Sequence, residues 1–214
     1  MFIAITSDIH NNLANLKKVL NYCSSKKIRV MICCGDLASL ETLDFLNDNF
    51  PGEIFYCFGN MDDGQMKMIS PFGKGWSECL PTSRQGAKQR DLKNNQQARE
   101  LCKYKNTQIF KNHGEIKIEN KSIAFVHYPD KARKLAESGK YDFVFYGHTH
   151  KPWVASVSAD AKAMANKKTS ADRRPKKCVM LNPGNIANEV YPPTFAIWNT
   201  EDDEFELVRV NELK

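Results

Sequence analysis

The segment FIAITSDIHNNLANLKKVLNYC (residues 2–23) joins an apolar run to a helical pattern through a short polar loop. Its apolar beginning, residues 2–6, is typical of a buried strand. Four residues then follow at spacings of three, four and three: Leu13, Leu16, Leu20 and Cys23. This spacing places them on one face of a helix, and Asn12 stands where a cap is needed. A strand followed by a helix is the repeating unit of an α/β protein.

The same alternation continues along the chain. IRVMICC (28–34) predicts a second strand, SLETLDFLND (39–48) a second helix capped by Ser39, and EIFYCF (53–58) a third strand. The order strand, helix, strand, helix, strand predicts parallel strands with crossover helices.

The second half of the chain follows a different pattern. EIKIENKSIAFVH (115–127) predicts a hairpin with Asn120 and Lys121 at the turn. PDKARKLAESG (129–139) predicts a short helix with Pro129 at its start and Gly139 past its end, and YDFVFY (141–146) a buried strand. Four more strand-like runs follow: PWVASV, KCVML, TFAIW and EFELVRV. Two sheets packed face to face, with helices outside, would accommodate this order.

Length and composition limit the class of protein. A chain of 214 residues is long enough for one sizeable α/β domain. No apolar run approaches the roughly 20 residues of a membrane span, and the first ten residues lack the basic region of a signal peptide. Seven cysteines occur without the spacing of a disulfide framework, and four of them lie in strand-like runs: Cys33, Cys34, Cys57 and Cys178. We therefore expect a reduced, cytoplasmic protein without membrane partners.

The net charge of +6 is concentrated in two segments. Residues 64–107 hold nine Lys and Arg against three Asp and Glu, and residues 158–177 hold seven against two. Together the segments carry +11, so the rest of the chain carries −5. We interpret both as basic insertions in a single domain spanning 1–214, the first as a candidate cap and the second as a hairpin tip. Within the first, QRDLKNNQQARELCKY (89–104) has a weak helical pattern.

Polar residues with metal-binding side chains follow five of the predicted strands. They are Asp8 and His10, Asp36, Asn60, His127, and the pair His148 and His150. Ligands of open α/β sheets bind beyond the carboxyl ends of the strands. Four of the five histidines of the chain occupy such positions.

Each of these residues also has an ordinary structural explanation. Asp36 follows a glycine and could cap a helix, Asn60 could be a turn residue, and His127 could be a hydrogen-bonded core histidine. The occurrence of all of them at successive strand ends favours a metal site.

The ordered motifs SDIHNN, GDL, GNMD, VH and GHTH resemble those of the calcineurin-like metallophosphoesterase superfamily. Their short form is most similar to the small bacterial and archaeal phosphodiesterases, and LNPGN (181–185) is similar to the Asn-Pro-Gly turn of that group. The similarity extends from residue 2 to about residue 200. It implies a four-layer αββα sandwich of two mixed sheets with a dinuclear metal site at the strand ends.

The resemblance also implies two sets of metal ligands. The first ion would be held by Asp8, His10, Asp36 and His150, and the second by Asp36, Asn60, His127 and His148, so that Asp36 bridges. Carboxylate, amide oxygen and imidazole together suit Mn²⁺, Fe or Zn²⁺. We expect two divalent ions, with manganese as the first choice and nickel, iron or zinc as alternatives.

The implied reaction is attack on phosphorus by a hydroxide that bridges the two ions, since metal binding lowers the pKa of water toward about 7. By this resemblance Asp36, Asn60 and Asp62 are assigned as catalytic residues, and Asn11 and Asn60 as substrate-binding residues.

Three positions depart from the family pattern. Met61 stands where many members have a histidine that protonates the leaving group, and a thioether cannot donate a proton. Asn11 replaces a usual glycine, which is a mild change because Asn tolerates left-handed backbone. Tyr128 follows His127 in place of a glycine, so His113 in NHGE is a rival ligand. We favour His127 because it ends a predicted strand, and we expect His113 in a solvent-facing turn.

The sequence thus predicts a metal-dependent phosphodiesterase acting on a phosphate ester, with nucleotides and cyclic nucleotides as candidate substrates. A phosphomonoesterase or a nuclease using the same site is an alternative, with the basic insertions holding nucleic acid. A metal-binding scaffold without turnover is the alternative outside catalysis. The sequence does not indicate an oligomeric state.

Overall fold

The computed structural model describes residues 1–62, 100–158 and 177–214, with the side chains of residues 100–102 excepted. It contains three α-helices, α1 (Leu13–Ser25), α2 (Leu40–Asn49) and α3 (Pro129–Glu137), and a 3₁₀ turn at Val210–Glu212. The strands are β1 (Phe2–Thr6), β2 (Val30–Cys33), β3 (Glu53–Cys57), β4 (Glu100–Tyr104), β5 (Thr107–Phe110), β6 (His113–Ile118), β7 (Lys121–Val126), β8 (Phe143–Tyr146), β9 (Trp153–Ser158), β10 (Lys177–Asn182), β11 (Thr194–Asn199) and β12 (Glu204–Arg209).

The first sheet has seven described strands in the order β12-β11-β1-β2-β3-β5-β4. Its centre is parallel, because β1 pairs with β2, β2 with β3, and β3 with β5 in the same direction. β11 and β12 extend the sheet in antiparallel pairing beyond β1. The predicted alternation of strands and crossover helices over residues 2–58 is confirmed.

The second sheet has five described strands in the order β6-β7-β8-β10-β9. β7, β8 and β10 are parallel, and β6 and β9 pair antiparallel at the two edges. The predicted hairpin is present, but its turn was placed one residue too late. Ile118 pairs with Lys121, so the turn consists of Glu119 and Asn120, and the left-handed φ of +54° falls on Glu119.

Three separate apolar clusters show that the architecture has four layers. Leu16, Val19 and Leu46 pack α1 and α2 against the outer face of the first sheet. Ile5, Phe125 and Trp198 lie in the cluster between the two sheets. Ala132 and Ala136 pack α3 against the outer face of the second sheet. The predicted αββα sandwich of two mixed sheets is confirmed.

Local signals predicted the helix starts correctly. The side chain of Asn12 accepts a hydrogen bond from the backbone of Asn15 at 3.0 Å, and Ser39 Oγ accepts one from Thr42 at 3.1 Å. Each satisfies a backbone N–H that has no partner within its helix. The four cysteines predicted to be small buried residues are buried: Cys33, Cys34, Cys57 and Cys178. Burial raises the pKa of Cys33 to about 12, which makes this thiol unreactive.

The prediction of a helix at 89–104 is wrong for residues 100–104. Residues Glu100–Tyr104 form the edge strand β4, which pairs antiparallel with β5. Neither β4 nor β5 was predicted, because both are short and gain their stability from pairing, β5 with β3 and β4 with β5, rather than from local propensity. The remainder of the predicted helix lies outside the described residues.

The first and last residues of the second basic segment pair with each other across two neighbouring strands. Ser158 at the end of β9 pairs with Lys177 at the start of β10. Residues 159–176 connect these two ends and lie outside the described residues. The roles of the two basic insertions, as a cap and a hairpin tip within one domain, stay predictions. In the described part of the chain, no helix has the length and apolar character needed to span a membrane.

Candidate metal centre

The carboxyl ends of five strands from both sheets meet at one rim of the sandwich. Loops that follow β1, β2 and β3 come from the first sheet, and those that follow β7 and β8 come from the second. They carry all seven predicted ligand residues: Asp8, His10, Asp36, Asn60, His127, His148 and His150. The structure brings every one of these side chains into a single centre.

Five of the seven residues have left-handed backbone, which is uncommon for residues other than glycine. Their φ angles are 52° at Asp8, 46° at His10, 58° at Asp36, 70° at His148 and 58° at His150. Left-handed conformations at non-glycine residues cost of order 1–3 kcal/mol each and cluster at functional sites. The turn at residues 147–150 also explains how two histidines one residue apart serve one centre, since an extended chain would point them to opposite sides.

One half of the centre consists of Asp8, His10 and His150. Asp8 Oδ1 lies 3.3 Å from His150 Nε2 and 3.8 Å from His10 Nε2. The two imidazole rings meet edge to face with their centroids 5.1 Å apart. The ligand atoms of these three residues all lie within 4.8 Å of one another, close enough to hold one metal ion.

The other half is formed by Asn60, His127 and His148. His127 Nε2 lies 3.0 Å from Asn60 Oδ1 and 3.2 Å from His148 Nδ1. His148 Nδ1 lies 2.9 Å from the same Asn60 oxygen. His127 is fully buried, whereas His148 is exposed at the rim.

Asp36 lies between the two halves. Its Oδ2 is 3.4 Å from His10 Nε2 on one side and 3.3 Å from His127 Nε2 on the other. Its Oδ1 accepts a hydrogen bond from the backbone of Met61 at 2.8 Å. Asp36 is thus within 3.4 Å of a histidine nitrogen in each half.

The chemistry of the donor set fits a cation. His127 Nδ1 donates to the carbonyl of Cys34 at 2.9 Å, so the Nε2 of the neutral ring carries a lone pair that faces the oxygens of Asn60 and Asp36. In the part of the chain that the structure describes, His10 Nε2 is buried without a hydrogen-bond partner. Acceptors that face one another across a buried space lack the positive charge that a divalent ion would supply.

The charges of the centre shift the pKa values of its residues. Burial raises the pKa of Asp8, but the neighbouring imidazoles of His10 and His150 outweigh it and the value falls to about 2. The carboxylates of Asp36 and Asp8, 3.4 and 3.8 Å from His10 Nε2, raise the pKa of His10 to about 10, against the opposing effect of burial. Burial lowers the pKa of His127, yet Asp36 and Asp8 raise it above its ordinary value overall. The centre therefore attracts positive charge.

Two glycines lie directly against the ligands. A Cβ at Gly59 would come within 2.1 Å of Asp36 Oδ1, and one at Gly35 within 2.5 Å of His127 Nδ1. Gly35 also has a φ of +103°, which favours glycine. Any side chain at either position would displace a ligand.

The comparison with family models identifies the superfamily of the chain. Residues 1–203 match the model of the calcineurin-like phosphoesterase superfamily domain. The protein belongs to the calcineurin-like phosphoesterase superfamily. As a calcineurin-like phosphoesterase it is a phosphoric ester hydrolase, and its chemistry depends on divalent metal ions.

Individual relatives agree with this assignment. The chain is 24% identical over 209 residues to the phosphodiesterase MJ0936 of Methanocaldococcus jannaschii, covering 97% of this chain and 98% of that protein. An archaeal phosphodiesterase of known structure superposes with a TM-score of 0.62 at 21% identity, covering 98% and 99% of the two chains. A zinc complex of Vps29 from Entamoeba histolytica gives 0.54 at 16% identity, covering 99% and 100%. At these identities the two structures show a shared fold.

Asp62 has a structural position that the sequence did not predict. Its carboxylate is buried and accepts backbone hydrogen bonds from Asp36 at 2.7 Å, Gly59 at 2.8 Å and Ala38 at 2.9 Å. These bonds hold the loops that carry two of the ligands, Asp36 and Asn60. The contacts favour a positioning role in this calcineurin-like phosphoesterase, and the predicted catalytic role of Asp62 stays a prediction.

Asn11 lies on the rim and is tied to the start of α2. Its Oδ1 accepts hydrogen bonds from Ser39 Oγ at 2.6 Å and Thr42 Oγ1 at 2.7 Å, and its φ is +60°. The departure from glycine is thus accommodated by left-handed backbone. Its predicted role in substrate binding stays a prediction.

The rival ligand His113 is separate from the two ligand groups. It begins β6, where its Nε2 lies 3.3 Å from Glu115 Oε1, so the expected solvent-facing turn was wrong. The register of β6 and β7 decides this, since His113 pairs with Val126 inside the sheet. Tyr128, which replaces the usual glycine of calcineurin-like phosphoesterases, packs against the rings of His127 and His148 at centroid distances of 5.1 and 5.3 Å.

Glu189 contacts the centre but was not predicted from the sequence. Its Oε2 lies 3.0 Å from His10 Nδ1, and its backbone oxygen lies 3.3 Å from His150 Nδ1. It follows no strand directly and belongs to no motif quoted above, so the sequence carried no signal for it.

An open groove lies on the other side of the loop that carries His148 and His150. It has a volume of about 300 Å³ and is lined by Tyr146, Thr149, Lys151, Trp153 and Tyr191. The rings of Trp153 and Tyr191 are 47% and 37% exposed. Thr149 Oγ1 accepts a hydrogen bond from the buried Asn182 at 3.0 Å, which directs its side chain away from the metal centre.

Proposed function

We propose that this calcineurin-like phosphoesterase hydrolyses phosphodiesters with two divalent metal ions. Asp8, His10, Asp36 and His150 would hold one ion, and Asp36, Asn60, His127 and His148 the other. The position of Asp36 Oδ2, within 3.4 Å of a histidine nitrogen in each half, is the observation that carries the proposal. Two relatives described as phosphodiesterases support the choice of ester.

When bound, the ions would supply an activated water and neutralise the charge of the phosphoryl oxygens. The mixed donor set of carboxylate, amide and imidazole is compatible with Mn²⁺, our first choice, as well as with nickel, iron and zinc.

The protein side chains hold the ligands in place and leave the rim open to substrate. Asp62 orders the loops of Asp36 and Asn60, and the exposed imidazole of His148 marks the entry side. Met61 is 50% exposed at this rim and has no acidic proton to give to a leaving group. A phosphate ester with a stable leaving group therefore suits this centre best.

The groove beside the centre supports a nucleotide as part of the substrate. Trp153 and Tyr191 present exposed rings, and aromatic rings stack on nucleobases with a gain of about 1–3 kcal/mol. Lys151 adds an exposed positive charge. Thr149 and Lys151 alternate with the ligands His148 and His150, so a substrate that crosses this loop would reach both the groove and the ions.

Substitution of the bridging carboxylate tests the metal mechanism. The Asp36→Asn variant is stripped of metal and then given Mn²⁺. Its rate of hydrolysis of bis(p-nitrophenyl) phosphate should be at least about 100-fold lower than that of the unmodified chain, because the shared ligand loses its charge. The exposed Asp130→Asn variant serves as a matched control and should retain full activity. Faster hydrolysis of p-nitrophenyl phosphate would show a phosphomonoesterase, and stoichiometric metal binding without turnover would show a scaffold.

Two esters that share a p-nitrophenyl leaving group test whether the groove binds the nucleoside part of a substrate. In Trp153→Ala, the KM for the p-nitrophenyl ester of thymidine 5′-phosphate should rise about tenfold, while p-nitrophenyl methyl phosphate is hydrolysed as before. Trp153→Phe should restore most of the difference because it keeps an aromatic ring. Leu207→Ala, an exposed apolar change on β12, is the control. Equal effects on both esters would argue against a nucleoside in the groove.

A further inference from the structure

The loop at residues 185–191 connects the segments that carry one half of the metal centre. The backbone N–H groups of Ile186 and Ala187 donate to Asp8 O at 3.1 and 3.0 Å. Asn185 Nδ2 donates to His150 O at 3.2 Å, and Asn185 Oδ1 accepts from the Glu189 backbone at 3.1 Å. We call residues 185–191 the anchoring loop.

Glu189 lies at the point where this anchoring loop meets the two histidines. Its carboxylate oxygen Oε2 lies 3.0 Å from His10 Nδ1, and its backbone carbonyl accepts from His150 Nδ1 at 3.3 Å. Both rings therefore present Nε2 toward Asp8. One residue thus sets the orientation of two of the three side chains in the Asp8–His10–His150 group.

In the other half of the centre, the partner behind the buried His127 is a neutral carbonyl and not a carboxylate. His127 Nδ1 donates to the neutral carbonyl of Cys34 at 2.9 Å. A carboxylate behind an imidazole makes the ring a stronger metal ligand than a carbonyl does. The two halves therefore differ in the charge behind their histidines.

The backbone around Glu189 is strained in a way that keeps this contact. Asn188 and Val190, on either side of Glu189, have φ angles of +65° and +62°. For a β-branched residue such as Val190, which is 88% exposed, left-handed backbone is costly and brings no apolar burial. Strain of this kind is typical of functional sites.

We propose that Glu189 is the positioning residue for the metal held by Asp8, His10 and His150, and that it makes this half the tighter of two unequal metal sites. This inference rests on the proposed function, because it requires that both halves bind a divalent ion. Glu189 acts through His10 and needs no contact with substrate.

Calorimetric titration of the metal-stripped protein with Mn²⁺ tests the inequality directly. The unmodified chain should bind two ions with separate affinities. Glu189→Gln keeps the side-chain length but removes the charge, and it should weaken the tighter site about 10–100-fold while the weaker site changes little. Glu206→Gln, an exposed change on β12, should leave both affinities unchanged.

A double-mutant cycle separates positioning from general loss of structure. In a His10→Ala background, Glu189→Gln should have no further effect on Mn²⁺ affinity, since Glu189 acts through the ring that has been removed. The visible absorption spectrum of the Co²⁺-loaded protein gives a second readout. It should change between the unmodified chain and Glu189→Gln because the ligand field at His10 changes.

Unchanged affinities in Glu189→Gln would overturn this inference and leave the proposed function intact. A loss of Mn²⁺ affinity at the weaker site alone would also overturn it. So would an equal loss of Mn²⁺ affinity on Glu189→Gln with His10 absent and with His10 present. Failure of the unmodified chain to bind Mn²⁺, Co²⁺ or Zn²⁺ would overturn the proposed function, and this inference with it.

Discussion

Three imidazoles of the metal centre, those of His10, His127 and His150, each have a polar partner at the ring nitrogen that faces away from it. His127 donates to the Cys34 carbonyl and His150 to the Glu189 carbonyl, while His10 Nδ1 lies 3.0 Å from the Glu189 carboxylate. Such partners fix the tautomer and the orientation of a metal-binding histidine. At the scale of single residues, the centre is thus ordered by groups that would not touch the metal.

Asp62 gives the first prediction, because it is the buried carboxylate that orders the loops. Asp62→Asn replaces one acceptor oxygen by an NH₂ group that faces a backbone donor, either from Ala38 or from Asp36 and Gly59. We expect the free energy of unfolding in urea to fall by about 2–3 kcal/mol, since a buried donor loses its partner. Mn²⁺ affinity should fall as well, because Asp36 and Asn60 lose their support.

Asp130→Asn is the control for this change. Asp130 is exposed in the first turn of α3, where loss of a negative charge costs less than about 1 kcal/mol. If Asp62→Asn unfolds at the same urea concentration as Asp130→Asn, the three backbone hydrogen bonds do not contribute as described.

At the scale of secondary-structure elements, the described sandwich is continuous across both basic insertions. β3 pairs with β5, and β9 pairs with β10, so the strands on either side of each insertion lie in the same sheet. The pairing of Ser158 with Lys177 means that a two-residue turn could join β9 to β10.

Replacement of residues 159–176 by Asn-Gly is therefore expected to leave the fold and the metal centre intact. The melting temperature and the hydrolysis of bis(p-nitrophenyl) phosphate should match those of the full chain. Binding to a single-stranded oligonucleotide should weaken, and its dependence on salt should decrease, because the replaced residues carry six Lys and Arg. Loss of small-diester hydrolysis would show instead that this segment contributes to the centre.

At the scale of the whole molecule, folding brings two buried carboxylates, Asp8 and Asp36, to one rim of a core that is acidic outside its insertions. Burying like charges is costly unless a positive charge accompanies them. In the absence of metal we expect that charge to be a proton on a histidine, chiefly His10, whose pKa the carboxylates of Asp36 and Asp8 raise from 6.5 to about 10.

Stability of the metal-free protein should accordingly fall as the pH rises. The folded His10 binds its proton more tightly than the unfolded chain does, so its contribution is complete below pH 6.5 and is lost toward pH 10. Urea unfolding in EDTA should give a free energy of unfolding about 1–2 kcal/mol lower at pH 9 than at pH 6.5.

Divalent metal should remove this dependence, because the ion replaces the proton between the carboxylates. At 100 times its dissociation constant, a bound ion adds about 2.7 kcal/mol to the stability. Equal stability of the metal-free protein at both pH values would show that the cluster does not hold a proton in this way.

The regular elements were predictable where a local pattern was strong. The period of three to four in residues 13–23 defined α1, and apolar runs defined β1, β2 and β3. β4 and β5 were missed because pairing within the sheet, β5 with β3 and β4 with β5, makes them strands rather than their own sequence. The hairpin turn was shifted by one residue, since the register of β6 and β7 depends on cross-strand packing.

The sequence by itself determined the family, the four-layer fold and which seven residues meet at the rim. Motifs at the ends of successive strands carry that information, because the carboxyl ends of parallel strands converge. Only the tertiary structure decided which ring nitrogen of each histidine faces the centre, that Asp62 is buried behind it, and that Glu189 supports it. These contacts join residues distant in the chain through left-handed turns, and neither periodicity nor spacing encodes them.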